Sequence, residues 1–273
     1  MANFKITPHS LLPIPYSLPM SPLQTIDISA GYGSKTVLHN ISLTVEPGEF
    51  VALIGPNGGG KSTFLKVVGG LLRPTFGQAL LDGRPIDKYT LLQRAQKIAY
   101  LPQEIHVEFN LTVRQAVLMG RFPHYGLFGR ESREDSAVVD SVLERADLLE
   151  LSERPLDALS VGQRQRVWLA SCLAQSAPIL LLDEPTSSLD LGQTWRMLQL
   201  ICQEQIESQT EPKTVVGVFH DLEAVKKFCT RAVAIKDGVV VADDFPAKLL
   251  TDEFVAQLYD LEDERTPMPT AIC

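Results

Sequence analysis

The chain has 273 residues, 45% of them hydrophobic, enough for a substantial core in one large domain or two small ones. Its net charge of −8 leaves no bulk basic surface, so nucleic acid is not an expected partner. No apolar run approaches the ~18 residues that span a bilayer, and the four cysteines (Cys172, Cys202, Cys229, Cys273) hold no CxxC pair, which fits a reduced cytosolic protein without disulfides or a zinc site.

Residues 1–22 carry Pro8, Pro13, Pro15, Pro19 and Pro22, which interrupt any apolar core. They read as a disordered, proline-rich extension and not as a signal peptide. Met20 is the expected natural start, because the fold pattern begins only at about Leu23. Thr25 to Ser29 alternates as an edge strand does, and Ile41 to Val45 alternates too. Glu46-Pro47-Gly48-Glu49 predicts a turn. Phe50 to Ile54 is continuously apolar and runs into a glycine loop, with a helix predicted from about Lys61.

Gly77 to Leu81 and Ile98 to Leu101 read as further strands. Strand signals then fade over 104–158, where helices are predicted at Val113 to Met119 and Ser132 to Ala146. Ser132 and Asp135 match a capping box. A helix from about Gly162 to Ala174 leads to Ile179–Leu182 and Val215–Phe219, apolar throughout as buried parallel strands are. Leu191 to Ser208 is a long helix between those strands. A hairpin through Asp237-Gly238 and a short helix at Asp252 to Tyr259 end the pattern. The chain therefore divides into the extension, a domain over 23–260 with a helical insertion at about 104–158, and a tail at 261–273.

Gly55-Pro56-Asn57-Gly58-Gly59-Gly60-Lys61-Ser62-Thr63 matches GxxxxGK[ST] in full. Glycines let backbone N–H groups wrap phosphates, and the following helix adds its positive end. Lys61 would neutralise β and γ phosphates, and Ser62 would offer its hydroxyl to Mg²⁺. Strand, loop and helix in that order are the context this motif needs, and a nucleoside triphosphate is its expected ligand. Leu180-Leu181-Leu182-Asp183-Glu184-Pro185 ends a buried strand in two carboxylates. Asp183 suits Mg²⁺, and Glu184 is placed to orient and deprotonate an attacking water. Two strand-end acids capping the next helix are the bland alternative. His220, after the apolar strand, reads first as a structural histidine on the residues alone, with a functional role as the lesser alternative.

Leu159-Ser160-Val161-Gly162-Gln163-Arg164-Gln165-Arg166 lies between those two elements and resembles the signature of ATP-binding-cassette (ABC) ATPases. The resemblance covers about 23–260 with the motifs in order. It implies an α/β fold: a P-loop NTPase (RecA-like) core with a mainly parallel sheet, an N-terminal antiparallel β subdomain and an inserted α-helical subdomain. It further implies ATP and Mg²⁺ as cofactors. Ser160, Gly162 and Gln163 would bind the γ phosphate held by a second ATP-binding subunit, in a homodimer with two sites. Val161 stands where the family usually has glycine. Gln103, in Tyr100-Leu101-Pro102-Gln103, corresponds to a glutamine touching Mg²⁺ and water, His220 to the switch histidine, and Asp190 lies in the loop that crosses the dimer interface. Tyr32, in Gly31-Tyr32-Gly33, resembles the aromatic stacked on adenine; a turn tyrosine that packs locally is its alternative.

Leu118-Met119-Gly120-Arg121-Phe122-Pro123-His124-Tyr125-Gly126-Leu127-Phe128-Gly129-Arg130 is similar to segments in the ATPases of iron-chelate (siderophore) and cobalamin importers. The resemblance implies a peripheral protein on the cytoplasmic face of the cell membrane. Its expected partners are a multi-span permease docked near the helical insertion and an extracytoplasmic solute-binding protein. The aromatic segment reads either as the permease groove or as core of the insertion. A zinc, manganese or cobalamin importer, an exporter, and a soluble non-transport ATPase are the alternatives to iron-chelate uptake.

Overall fold

The computed structural model describes residues 23–105, 110–125, 131–187, 189–206 and 212–261. The proline-rich extension with Met20, residues 126–130 of the aromatic segment, Ser188 and the tail after Leu261 lie outside the described residues.

Strands β1 (Leu23–Tyr32) and β2 (Lys35–Val45) open the chain as a hairpin, followed by β3 (Phe50–Ile54) and helix α1 (Lys61–Val68). Strands β4 (Phe76–Leu81) and β5 (Arg84–Pro85) return to the hairpin and complete an antiparallel sheet of order β2-β1-β4-β5. β1 is therefore central and not at an edge. Its alternation breaks at Asp27, where φ is +48° and the register with both neighbours shifts, so Thr25 and Ile28 both face inward. Buried Thr25 satisfies its hydroxyl by accepting from Leu43 N at 3.0 Å.

The second sheet has the order β10-β9-β3-β8-β7-β6. It joins β6 (Ile98–Leu101), β7 (Ile179–Leu182), β8 (Thr214–Val218), β9 (Arg231–Lys236) and β10 (Val239–Asp244) to β3. All its pairings are parallel except that of β10 with β9. Every side chain of β3 is fully buried, which explains its unbroken apolar run. Burying each of Phe50, Val51, Leu53 and Ile54 stabilises by about 1.5–3 kcal/mol. Gly217 in β8 leaves room for the Phe219 ring, which would lie 2.5 Å from a Cβ at that site.

Between β6 and β7 stand α3 (Val113–Leu118), α4 (Arg133–Arg145) and α5 (Val161–Ala174). Val113, Val117, Val142 and Leu143 are buried in one apolar cluster with Leu169 of α5 and Leu180 of β7. The predicted capping box is present: Ser132 Oγ accepts from Asp135 N at 3.1 Å, and Asp135 Oδ2 accepts from Ser132 N at 2.9 Å. The long helix α6 spans Leu191–Ile206. The structure adds three short helices to the expected set: five-residue α2 (Leu91–Ala95), α7 (Leu222–Phe228) and α8 (Pro246–Leu249). The final helix α9 (Asp252–Leu258) packs Leu258 into the core. Among the described residues no helix is long and apolar enough to cross a membrane.

Candidate functional site

The glycine loop joins the buried end of β3 to α1. Gly55, Gly58 and Gly60 take φ values of +130°, +78° and +105°, which branched or bulky residues avoid. A Cβ on Gly55 would sit 2.1 Å from Ile235 O, so close approach also demands glycine there. Gly59 N donates to Pro56 O at 3.1 Å and fixes the turn, while Asn57 and Gly58 are exposed at its tip. Lys61 is only 5% exposed and donates from Nζ to Gly55 O and Pro56 O, both at 2.8 Å. Burial holds its pKa below the ordinary lysine value, with Glu184 and then Asp183 opposing. Thr63 is buried on the inner face of α1.

The two acids at the end of β7 occupy different environments. Asp183 is 3% exposed. Ser62 Oγ donates to its Oδ1 at 2.6 Å, and Tyr100 OH donates to its Oδ2 at 3.0 Å. Burial first, and then Asp183, push the Tyr100 ionisation upward, so the phenol stays a donor. Tyr100 was not singled out by the sequence. The signal was its place on β6, which pairs in parallel with the strand that ends in Asp183.

Glu184 has a φ of +52°, a conformation that costs a non-glycine residue roughly 1–3 kcal/mol. Gln103 Nε2 donates to its Oε2 at 2.9 Å, and His220 Nε2 lies 3.1 Å from its Oε1. The structure thus brings Gln103, Glu184 and His220 together across 81 residues of sequence between the first two. Glu184, Ser187, Leu189, His220 and Asp221 line a cleft of about 460 Å³.

Ser160 caps α5: its Oγ accepts from Gln163 N at 3.2 Å, and Gln163 Oε1 accepts from Ser160 N at 3.0 Å. Val161 is 51% exposed in the first turn. Gly162 is buried against α6, where a Cβ would meet Gln193 Oε1 at 1.9 Å. Asp190 Oδ1 accepts from Gln193 N at 2.8 Å at the start of α6. Among the described residues no hydrogen bond joins Ser160, Gly162, Gln163 or Asp190 to residues 55–63 of the same chain. Tyr32 is 49% exposed at the β1–β2 turn, with Lys66 Nζ 5.8 Å from its ring centroid.

The aromatic segment divides. Arg121 and Gly120 are buried, whereas Met119 and Phe122 are 40% and 56% exposed. Arg121 Nε donates to buried Asp135, and its NH1 donates to Ala174 O at 2.7 Å, so this side chain serves the interior of the insertion.

The donor set suits a triphosphate and a hard cation. Inward-turned glycines and a sheltered ammonium can hold phosphate oxygens. Ser62 Oγ and Asp183 Oδ1, 2.6 Å apart, offer adjacent oxygens of the kind Mg²⁺ takes beside phosphate and water. Gln103 and His220 are placed to orient a carboxylate facing the cleft.

Residues 38–187 match a protein family described as ABC transporter. The chain is 36% identical over 258 residues to the iron(3+)-hydroxamate import ATP-binding protein FhuC of Bacillus subtilis (strain 168), covering 93% of this chain and 95% of that one. It is 36% identical over 234 residues to the ferric enterobactin transport ATP-binding protein FepC of Escherichia coli (strain K12), covering 86% and 85%. Among solved structures it is similar to a dimeric post-hydrolysis state of an ATP-binding cassette bound to ADP and phosphate. That likeness has a TM-score of 0.72 and 30% identity, and covers 82% of this chain and 98% of that one.

Proposed function

From the premise that this chain belongs to the ABC transporter ATP-binding proteins and is an ATPase, we propose that it powers a membrane importer of ferric siderophores. The observation that carries the catalytic part is the clasp of Glu184 between Gln103 and His220, beside Asp183 bonded to Ser62. Glu184 takes the proton of the attacking water, while Gln103 and His220 fix its two oxygens in line with the cleft. Lys61 and the N–H groups of Asn57, Gly58 and Gly60 to Thr63 hold the phosphates, and Tyr32 stacks on the base. Ser62, Asp183 and Gln103 would hold Mg²⁺, which would supply charge neutralisation on the phosphate oxygens.

The site is completed by a second copy. Ser160, Gly162 and Gln163 of one copy close over nucleotide held on the glycine loop of the other, with Asp190 at the seam. This reading is supported by the lack, among the described residues, of any hydrogen bond from Ser160, Gly162, Gln163 or Asp190 to the glycine loop of the same chain, and by the dimeric state of the similar solved cassette. ATP then bridges the closed pair, and hydrolysis releases it.

Docking of the permease falls at the edge of the helical insertion at about 104–158, within the ATP-binding unit of 23–260. Leu91 and Leu92 of α2 and Met119 and Phe122 are exposed and apolar. Gln96 Nε2 donates to Pro123 O at 2.9 Å and ties these two segments into one surface. The protein would thus sit peripherally on the cytoplasmic face of the membrane, with an extracytoplasmic solute-binding protein delivering cargo to the other side. The cargo assignment draws on the hydroxamate and enterobactin systems of the relatives. Co-expression with a multi-span permease and ATP-dependent uptake of radiolabelled ferric hydroxamate tests it. Uptake of cobalamin or a free divalent metal in place of the ferric chelate would overturn the cargo, and failure to co-purify with any permease would overturn transport.

A further inference from the structure

The C-terminal helix touches the glycine loop at its first peptide. Gly55 N donates to the Tyr259 hydroxyl at 3.3 Å, across 204 residues of sequence. The Tyr259 ring is half-buried and packs on the main core cluster. Helix α9 is fastened in turn to the end of β9, where Lys236 Nζ donates to Gln257 O at 3.1 Å and pairs with Asp260 Oδ1 at 2.6 Å. The next residues form the Asp237-Gly238 turn, and Gly238 N donates to Gly59 O at 3.0 Å. The loop is therefore held at Gly55 by Tyr259 and at Gly59 by Gly238, both through one fastened unit.

Gly55 needs such a hold. It lies just past the end of β3 with a φ of +130°, and Ile235 O leaves no room for a Cβ there. A buried N–H without a partner there would let the first peptide rotate and would disorder the phosphate cradle. We propose that Tyr259 is a positioning residue for nucleotide binding: its hydroxyl holds the first peptide of the glycine loop and so sets the affinity for the triphosphate. This rests on the reading of Gly55–Thr63 as the ATP site.

The test compares full-length parent, Tyr259→Phe, Lys236→Met and Lys61→Ala, measuring MgATP affinity by fluorescence titration, KM, kcat and thermal melting. Loss of one hydrogen bond predicts that Tyr259→Phe raises Kd and KM for MgATP about 3- to 10-fold, with kcat within about twofold and a fall in the nucleotide-free melting temperature of no more than about 4 °C. Lys236→Met, which unfastens α9, moves KM in the same direction. An unchanged KM in Tyr259→Phe, or a fall in kcat and melting temperature with KM constant, overturns the proposal. Lys61→Ala separates the two layers. If it binds MgATP as the parent does, the ATP-site reading fails. If it loses binding while Tyr259→Phe matches the parent, only the Tyr259 role fails.

Discussion

Arg121 and Asp135 meet inside the helical insertion, Nε 2.8 Å from Oδ1, with side chains only 6% and 5% exposed. Burial alone would raise the Asp135 pKa. The hydroxyl and N–H of Ser132, and then Arg121, overcome it and hold the group at about 2. The pair joins α4 to the segment after α3, and through Ala174 O to the end of α5.

Removing one partner strands the other charge. Arg121→Met is expected to destabilise the fold by about 3–5 kcal/mol, read from the urea midpoint. The pH dependence follows from the depressed pKa. Asp135 contributes its full stabilisation above its ordinary value of 3.8 and loses it as pH falls through about 2. The stability gap between parent and Asp135→Asn is therefore expected to be constant at pH 5–7 and to close on acidification.

Glu184→Gln keeps the side-chain volume and removes the base. ATP turnover is expected to fall about 10²- to 10⁴-fold while MgATP binding is retained. The trapped complex is expected to run as a dimer in light scattering. A monomer at saturating MgATP, even with the permease present, would remove the two-chain site.

Tyr100→Phe deletes the donor to Asp183 Oδ2 and leaves Ser62 in place. Partners behind a metal ligand typically tune affinity by 10- to 100-fold. The Mg²⁺ concentration for half-maximal ATPase is expected to rise about tenfold, with a smaller change in kcat at saturating metal. An unchanged Mg²⁺ dependence would leave Tyr100 a packing residue only.

Val161 has its side chain half in solvent in the first turn of α5, just after the Ser160 cap. Its N–H is retained in any substitution except proline. Val161→Gly is expected to preserve or raise ATPase activity, because in the proposed two-chain site it would free space beside the γ phosphate. A large loss of turnover in a steady-state assay would count against that placement.

Local patterns made much of the site legible. The apolar run of β3 into three glycines and a lysine, and the apolar run of β7 into Asp183-Glu184, announce buried strands that end in chemistry. The Ser132–Asp135 cap was equally visible, since its parts are three residues apart. Tyr100 and Tyr259 were hidden because their partners are 83 and 204 residues away, and a single aromatic carries no spacing signal. Helix α2 buries none of its residues, so it has no apolar period to read. The central place of β1 depends on β4, which returns only after the glycine loop and α1.

The positive φ of Glu184 has a consequence for how the protein can vary. Glycine would sit at that backbone position without torsional strain, but it would loosen the unfolded chain and lose the contacts to Gln103 and His220. It would also remove the carboxylate to which the proposed mechanism assigns the attacking water. Relief of backbone strain and retention of the carboxylate thus pull in opposite directions at a single position.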